Sequence, residues 1–365
     1  MQLSFVHLPQ HKHLLQPAGS FSLLQESIGA MRLAYFGLQA VPPSLYIDTT
    51  GAAFSFLPAY CLFGCRVMAY VHYPTISTDM LQLVWDRRFE SNHDNKSSSS
   101  TLRSYAKLAY YLGFASLYGA IGSLTTTLVL VNSTWTYNHI RSLWRGARGR
   151  VRIVYPPCSI PKTRTQTSRR SSTPDTIVSV GQFRPEKDHA LQIRAVQRLQ
   201  QLHPDVKCRL VLLGSCRNDE DAARLEALRK LAAPTTGSSA TIEFVVNAPS
   251  ATLQEWLTQK AHVGLHTMWN EHFGIGIVEM MAAGLVVVAH KSGGPQTDII
   301  APGRSGWLAS TVDEYAAALY TALTMSPGER ATMQRNAQAS AERFTDEVFE
   351  EAILKAMGDL HVIGG

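Results

Sequence analysis

Cysteine is scarce in this sequence and follows no recognisable pattern. The 365 residues include an odd number of cysteines at scattered positions, namely Cys61, Cys65, Cys158, Cys208 and Cys216. Such a set does not describe the disulfide framework of a small secreted protein. No cysteine pair has a second pair or a histidine cluster at zinc-ligand spacing, so a structural zinc site is not indicated. Reduced thiols facing a cytosol are the expectation.

A signal peptide and an uninterrupted membrane-spanning run are also missing. Residues 1–13 are mixed in polarity, without the basic region and apolar core of a signal peptide. The most apolar stretch, 108–131, is interrupted by glycines and by a polar patch at 123–127. We interpret it as a helix followed by a buried strand at 128–131. The alternative is a helix that lies on a membrane surface.

Charge is sparse and leans towards the basic side. Charged residues make up 17% and hydrophobic residues 45% of the chain, and the formal net charge is +6. This composition excludes a disordered chain, and the length predicts two domains. The basic excess favours anionic partners such as phosphates, nucleic acids or acidic membrane surfaces. Nucleic acid is the least favoured, because the arginines concentrate at 141–152 and 161–175 without an aromatic stacking platform.

The second half of the chain alternates between strand-like and helix-like segments. Apolar and β-branched runs predict strands at 177–180, 209–213, 241–246, 262–265 and 285–289. Helices are predicted at 219–231, at 250–259 with Ser250 as N-cap, and at 275–283 with Gly284 closing the helix. This alternation predicts an α/β fold with parallel sheets that are covered on both faces.

Two polar stretches interrupt the chain. Residues 90–104 predict a surface loop, and 161–175, rich in Ser, Thr and Arg, predicts the joint between two domains. Strand-like segments at 44–47, 67–71 and 128–131 indicate the same α/β class before the joint, and the last forty or so residues predict helices only. The predicted organisation is an N-terminal domain at 1–160, a linker at 161–175, a Rossmann-like domain at 176–340 and a C-terminal helix at 341–365.

Two carboxylates follow the strand predicted at 262–265. Glu271 lies in the loop, and Glu279 lies eight positions later on the next helix. Because ligands bind beyond the carboxyl ends of parallel strands, both acids are candidates for binding a ligand. A carboxylate accepts two hydrogen bonds from vicinal hydroxyls, which suits a ribose at one acid and a hexose at the other. Phe273 would anchor the loop and Gly274 would let the backbone approach a ligand, whereas helix capping is the structural alternative.

Two further loops at strand ends offer amides and positive charge. Gly293 and Gly294 precede a proline that would begin a helix, so their N–H groups predict a phosphate cradle. Arg184 and Lys187 follow the strand predicted at 177–180, where a diphosphate would need neutralising charge. Taken singly, a simple turn and a solvated basic loop are the alternatives. Together with the glutamates, the loops predict a phosphate–sugar–phosphate site on one sheet.

One histidine in the N-terminal half also lies at a strand end. His72 follows the strand at 67–71 and precedes a proline turn. Its ring could form a hydrogen bond with a hydroxyl of a sugar or of an acceptor. A structural role is the alternative.

The order of these motifs resembles that of the retaining GT-B glycosyltransferases. The hallmark of that family is two glutamates separated by seven residues with Phe-Gly after the first, here Glu271, Phe273, Gly274 and Glu279. The likeness is close over residues 176–307. It implies two Rossmann-like domains that face a cleft and the transfer of a sugar from a nucleotide sugar.

Longer runs are similar to a narrower family, the GDP-mannose-dependent α-1,2-mannosyltransferases of asparagine-linked glycosylation. The runs are YVHYPTISTDM at 70–80, VYPPC at 154–158, GQFRPEK at 181–187 and the stretch 264–276. The resemblance implies mannose transfer to a dolichol-diphosphate-linked oligosaccharide at the cytosolic face of the endoplasmic reticulum membrane. The implied partners are GDP-mannose, the lipid-linked acceptor, the membrane surface and other mannosyltransferases of the pathway, with no nucleic acid.

The resemblance also assigns roles by position. Glu271 would bind the mannose near its reacting carbon, and His72 would face the sugar from the N-terminal domain. The donor's GDP would be bound by Glu279 at the ribose, by Lys187 and Arg184 at the diphosphate, and by backbone at Gly274, Gly293 and Gly294. The implied chemistry is a front-face displacement with retention, in which the leaving diphosphate takes the proton of the incoming hydroxyl. No cofactor and no metal are expected, and no Asp-x-Asp pair occurs in a suitable loop.

The sequence departs from the family's pattern in two places. Gln182 stands where many relatives carry Arg, and Arg184 would take over its task. The strand and Gly-rich loop that begin the family's N-terminal domain are not found, nor is its apolar anchor. We therefore expect a partial N-terminal domain, short by on the order of a hundred residues. Three alternatives stay open: a GT-B transferase using UDP- or ADP-glucose, a nucleotide-sugar epimerase of the same fold, and a catalytically silent GDP-sugar-binding form.

Overall fold

The chain forms two compact units. The computed structural model describes residues 4–15, 22–82, 98–158, 175–233 and 240–359. The first unit comprises Met1–Tyr155 with Glu351–Gly365, and the second comprises Pro156–Glu350. The predicted linker lies outside the described residues except for Asp175, which begins a strand. The domain boundaries that were predicted from composition stay predictions.

A parallel four-stranded sheet forms the centre of the first unit. The strands are neighbours in their order along the chain: β1 (Leu45–Asp48), β2 (Arg66–Val71), β3 (Leu128–Val131) and β4 (Val151–Ile153). All residues of β3 are buried, as expected for a strand covered on both faces. The sequence predicted β1 to β3 to within one residue. It missed β4, because a strand of three residues carries too little periodic pattern.

The helices of the first unit confirm one prediction and correct another. Its N-terminal part contains α1 (Ser22–Ala40), α2 (Ser98–Thr125) and α3 (Thr134–Leu143), and the last helix of the chain, Asp346–Asp359, also lies mostly in this unit. The apolar stretch at 108–131 is a helix followed by a strand, as predicted. The predicted loop at 90–104 is wrong from Ser98 onward, and 90–97 lie outside the described residues. Burial of Phe114 and Tyr118 stabilises α2, so the helix extends into a serine-rich segment of poor helix propensity.

The apolar stretch at 108–131 bears on whether the chain contains a membrane-spanning helix. Within the described residues, no helix combines the length and the apolar character that crossing a bilayer requires.

The second unit contains a parallel six-stranded sheet with the Rossmann strand order. Its strands are β5 (Asp175–Val180), β6 (Cys208–Gly214), β7 (Thr241–Val246), β8 (Val263–Leu265), β9 (Val286–His290) and β10 (Trp307–Ala309). Their order in space is β7-β6-β5-β8-β9-β10. The strands β6 and β7 are added on one side of β5, and β8, β9 and β10 are added on its other side. The strand order therefore reverses between β5 and β8. In open α/β sheets the crevice at this reversal is where ligands bind.

Helices connect these strands and end the chain. They are α4 (His189–Leu202), α5 (Asp219–Leu231), α6 (Ser250–Glu255), α7 (Ile275–Ala282), α8 (Val312–Thr324), α9 (Pro327–Ala341) and α10 (Asp346–Asp359). The prediction for α5 is confirmed at both ends, and Gly284 ends α7 with a φ of +78°. Ser250 is not an N-cap. Pro249 occupies that position with the extended backbone it requires, and Ser250 is the first helical residue.

Candidate functional site

Lys187 and Glu271 meet where the strand order of the second unit reverses. Lys187 lies in the loop after β5 and Glu271 in the loop after β8, and these two strands are hydrogen-bonded neighbours. The Lys187 ammonium Nζ lies 2.7 Å from Oε2 of Glu271. The side chains are only 25% and 15% exposed, so water screens this pair less than a surface ion pair. The structure thus brings together two of the residues that the sequence placed at strand ends.

His266 is the third member of this cluster. It directly follows β8, and its ring Nε2 lies 3.1 Å from the same Glu271 oxygen, Oε2. Its backbone N–H donates to Val288 of β9, and its carbonyl accepts a hydrogen bond from the buried Tyr315 hydroxyl on α8. No role was predicted for His266 from the sequence. Its position as the first residue after a strand, five before Glu271, is the signal that could have found it.

The cluster keeps Glu271 ionised. Burial on its own raises the pKa of this carboxyl, but the hydrogen bond and charge of His266, followed by the ammonium of Lys187, outweigh burial. The net result lowers the pKa of Glu271 to about 2. A carboxylate in this state accepts hydrogen bonds and stabilises developing positive charge at neutral pH.

The glycine pair after β9 holds the backbone of Glu271. Gly293 has a φ of +56°, and a Cβ at this position would lie 2.2 Å from the Glu271 carbonyl oxygen. The Gly294 N–H donates to that same oxygen at 2.8 Å. The loop itself thus takes up the Gly294 amide, and the phosphate-binding role of the Gly293–Gly294 backbone stays a prediction. The helical turn Pro295–Ile299 that follows has only five residues, so its dipole is weak.

Further contacts fix the loop on both sides of Glu271. Asn270 has a φ of +50°, a left-handed conformation that asparagine tolerates, and its N–H donates to Oγ of Ser292. Phe273 is buried and packs edge-on against Phe344, as expected of an anchor. Gly274 has a φ of +114° at the start of α7, which explains glycine there without a ligand.

Glu279 differs from Glu271 in its partners and in the direction of its pKa shift. It lies on α7 and is half-buried, and among the described residues its carboxyl has no hydrogen-bond or ion-pair partner. Burial raises its pKa above the ordinary value. Two carboxyls with opposite pKa shifts indicate two separate tasks. Both carboxyl oxygens of Glu279 have capacity to accept hydrogen bonds from a ligand.

Arg184 does not join the cluster. Its side chain is exposed, and Nη2 lies 2.5 Å from Oε1 of Glu186. The predicted contact of Arg184 with a diphosphate would therefore require it to leave this neighbour, and its role stays a prediction.

His72 lies in the first unit, directly after β2. Its carbonyl accepts a hydrogen bond from Nδ2 of Asn132, and its ring packs edge-on against Tyr70. Burial lowers the pKa of His72, and the charge of Asp48 opposes that shift. The position at a strand end is as predicted, and the role towards a sugar stays a prediction.

Nowhere in the described ranges do three or more His, Cys, Asp or Glu side chains form a group that could hold a metal ion.

Comparison with solved structures shows the fold. An alpha,alpha-trehalose-phosphate synthase of Burkholderia xenovorans aligns with a TM-score of 0.69 at 13% identity, over 92% of this chain and 80% of that one. Anabaena Alr3699/HepE in complex with UDP and glucose aligns with a TM-score of 0.60 at 19% identity, over 94% and 84%. The two parallel-sheet units and these neighbours show the GT-B fold.

Comparison with protein families and curated relatives is more specific. The profile described as "ALG11 mannosyltransferase N-terminus" matches residues 1–144, and "Glycosyl transferases group 1" matches 162–340. The chain is 44% identical to the "GDP-Man:Man(3)GlcNAc(2)-PP-Dol alpha-1,2-mannosyltransferase" of Xenopus laevis, over 92% of this chain and 69% of that protein. The human protein of that name is 42% identical, over 93% and 70%. This chain is a glycosyltransferase that belongs to the family of GDP-Man:Man(3)GlcNAc(2)-PP-Dol alpha-1,2-mannosyltransferases.

Proposed function

We propose that this chain transfers mannose from GDP-mannose, with retention, to form α-1,2 linkages on a dolichol-diphosphate-linked oligosaccharide. The names of the relatives support this donor and this acceptor. The observation that carries the proposal is the Glu271 carboxylate, held by Lys187 and His266 at the strand-order reversal. Ligands of open α/β sheets bind at this reversal.

Each part of the donor has a matching group. The ionised Glu271 would accept a hydrogen bond from a mannose hydroxyl, and Glu279 would accept hydrogen bonds from the ribose hydroxyls. Lys187, with Arg184, would neutralise the diphosphate. The Gly293–Gly294 backbone would serve this site mainly by holding Glu271, and Gly274 would allow close approach of the donor. His72 would contact the sugar or the acceptor hydroxyl.

The proposed chemistry is a front-face displacement. The bond between the mannose anomeric carbon and the diphosphate oxygen breaks, and the acceptor hydroxyl oxygen bonds to that carbon from the same face. The hydroxyl proton passes to the departing diphosphate, whose negative charge Lys187 stabilises. The Glu271 carboxylate would stabilise the positive charge that develops on the sugar ring. No metal ion or cofactor is assigned a part in this step.

The acceptor determines where the enzyme works. A dolichol chain lies in a bilayer, so the reaction would take place at a membrane surface. We propose the cytosolic face of the endoplasmic reticulum as this surface; the dolichol-linked acceptor in the relatives' names supports a membrane.

The test is mannose transfer from GDP-mannose to dolichol-diphosphate carrying Man(3)GlcNAc(2) in detergent. We expect the wild type to form product that an α-1,2-specific mannosidase digests. Glu271→Ala should lower turnover by at least about a hundredfold. The control Glu243→Ala removes an exposed glutamate of β7 that pairs with Arg209, and it should retain turnover. Wild-type protein that binds GDP and forms no product would contradict the proposal.

A further inference from the structure

The two partners of the Glu271 carboxyl bind the same oxygen. Lys187 Nζ and His266 Nε2 lie 2.7 Å and 3.1 Å from Oε2. Across the described residues no partner of the other oxygen, Oε1, is found. The carboxylate is therefore held from one side, and Oε1 retains its capacity to accept a hydrogen bond.

Lys187 cannot serve this carboxylate alone throughout the proposed reaction. Its ammonium ends a flexible stem and also contacts Sδ of Met268 at 3.3 Å. When a diphosphate enters, its negative charge competes with Glu271 for the same ammonium. Any displacement of Lys187 towards the diphosphate weakens one of the two contacts that hold Oε2. His266 is then the remaining donor.

His266 is built to stay in place. The side chain is buried, with only 5% of its surface exposed, and both backbone polar groups are used by β9 and α8. The other ring nitrogen, Nδ1, is buried, and among the described residues it has no hydrogen-bond partner. The contact of Nε2 with Oε2 therefore holds the ring, and Nε2–H is the donor in it, because an ionised carboxylate oxygen only accepts.

We propose that His266 is a positioning residue that holds Oε2 of Glu271 by donating its Nε2–H, so that Oε1 stays directed to the donor sugar when Lys187 turns to the diphosphate. The proposal rests on the proposed function, because the competing diphosphate is that of the donor. It assigns His266 no contact with substrate. The effect of His266 passes through the orientation and ionisation of Glu271.

Other titratable groups surround this pair and bear on any pH profile. They are Lys187, Asp188 and His189 in and after the β5 loop, His290 at the end of β9, and Glu314 and Tyr315 on α8. Burial, then Lys187 and His266, lowers the pKa of His189 to about 4. Burial and His266 also lower the pKa of His290. Both rings are therefore neutral at neutral pH, and Glu271 is the group on which a change at His266 acts directly.

The experiment compares two amides at position 266. His266→Gln places an N–H near the position of Nε2, whereas His266→Asn reaches only as far as Nδ1. We expect His266→Asn to lower kcat by about ten- to a hundredfold, with a smaller change in KM for GDP-mannose. His266→Gln should recover most of this loss. The acid limb of the kcat profile should move to higher pH in His266→Asn, because Glu271 loses a donor that favours its ionised form.

The matched control is His262→Asn. His262 precedes the other end of β8, is buried, and lies 3.7 Å from Asp175. The His262→Asn variant should be less stable in thermal unfolding, but the acid limb of its kcat profile should match that of the wild type. The positioning role would be overturned if His266→Asn and His266→Gln both had the wild-type kcat and the wild-type acid limb of the kcat profile. A loss of kcat in both variants with an unmoved acid limb would also overturn it.

A second readout separates this inference from the proposed function. Glutamate labelled with ¹³C in the side-chain carboxyl gives a Glu271 signal that is identified by its loss in Glu271→Gln. We expect its titration to occur at higher pH in His266→Asn than in the wild type and in His266→Gln. This holds even if the wild type transfers no mannose, in which case the proposed function alone fails. Identical titrations in all three proteins would overturn the role of His266.

Discussion

Lys187 and Glu271 form an ion pair of 2.7 Å although they are 84 positions apart in the chain. Lys187 lies in the loop after β5 and Glu271 in the loop after β8. These two strands are neighbours only because the strand order of the sheet reverses between them. The pair thus depends on the strand order of the whole second unit. It also gives the site an ionised carboxylate before any ligand enters.

The stability of the fold should depend on the ionisation of Glu271. Its pKa is lowered from 4.5 to about 2 in the folded protein. Because the pKa is lowered, the ionised Glu271 contributes fully to the free energy of unfolding above pH 4.5, and this contribution disappears as the pH falls towards 2. The contribution amounts to about 3 kcal/mol. The difference in free energy of unfolding between wild type and Glu271→Gln, from urea titrations, should therefore shrink below pH 4.5. Glu243→Gln is the control, and a pH-independent difference for Glu271→Gln would contradict the assignment.

Removing the charge of Glu279 should stabilise the protein and weaken donor binding. Burial raises the pKa of this carboxyl, which has no partner in the described part of the chain, so the folded protein binds its proton more tightly than the unfolded chain does. Ionisation then reduces stability as the pH rises above the unfolded pKa. At neutral pH, Glu279→Gln should raise the free energy of unfolding by up to about 1 kcal/mol.

The same variant should raise KM for GDP-mannose more than it lowers kcat, because a ribose contact is made in the ground state as well. Calorimetric titration with GDP provides the independent check. Unchanged GDP affinity would remove Glu279 from the donor site.

A methyl group at Gly293 should displace Glu271. The positive φ alone costs about 1–2 kcal/mol for an alanine, and its Cβ would meet the Glu271 carbonyl oxygen. We expect Gly293→Ala to lose about 2–4 kcal/mol of stability and at least about tenfold in turnover. Gly328→Ala is the control, because that glycine lies in α9 and no atom of the described residues lies within 4 Å of an added Cβ. It should be neutral or slightly stabilising, and equal effects of the two changes would rule out the clash.

Mannose transfer should proceed without a divalent cation. In the proposed mechanism, Lys187 and Arg184 supply the charge that neutralises the diphosphate, and no metal ion takes part. Turnover in excess EDTA should therefore equal turnover in added magnesium. A Lys187→Met variant should lower turnover under both conditions. Activity that EDTA abolishes and magnesium restores would contradict this charge assignment.

The sequence by itself determined the elements with a strong local pattern. The mixed-charge helix Asp219–Leu231 and the strand Thr241–Val246 were predicted to the residue, since periodicity and end signals are local properties of the chain. The spacing of Glu271 and Glu279 around Phe273 was equally visible, and it led to the GT-B fold. Serine-rich residues 98–104 misled the prediction, because packing further along α2 decides where that helix begins.

Only the tertiary structure decided which atoms meet. The sequence placed Lys187, Glu271 and Gly294 at strand ends, but the partner of each depends on strand order and on loop paths that no local pattern contains. It assigned the Gly294 amide to a phosphate, whereas the folded loop assigns it to the Glu271 carbonyl. It passed over His266, whose importance appears only when β8, β9 and α8 pack around it. Contacts between distant segments arise from packing. The charges and hydrogen bonds of the site could therefore be identified only from the tertiary structure.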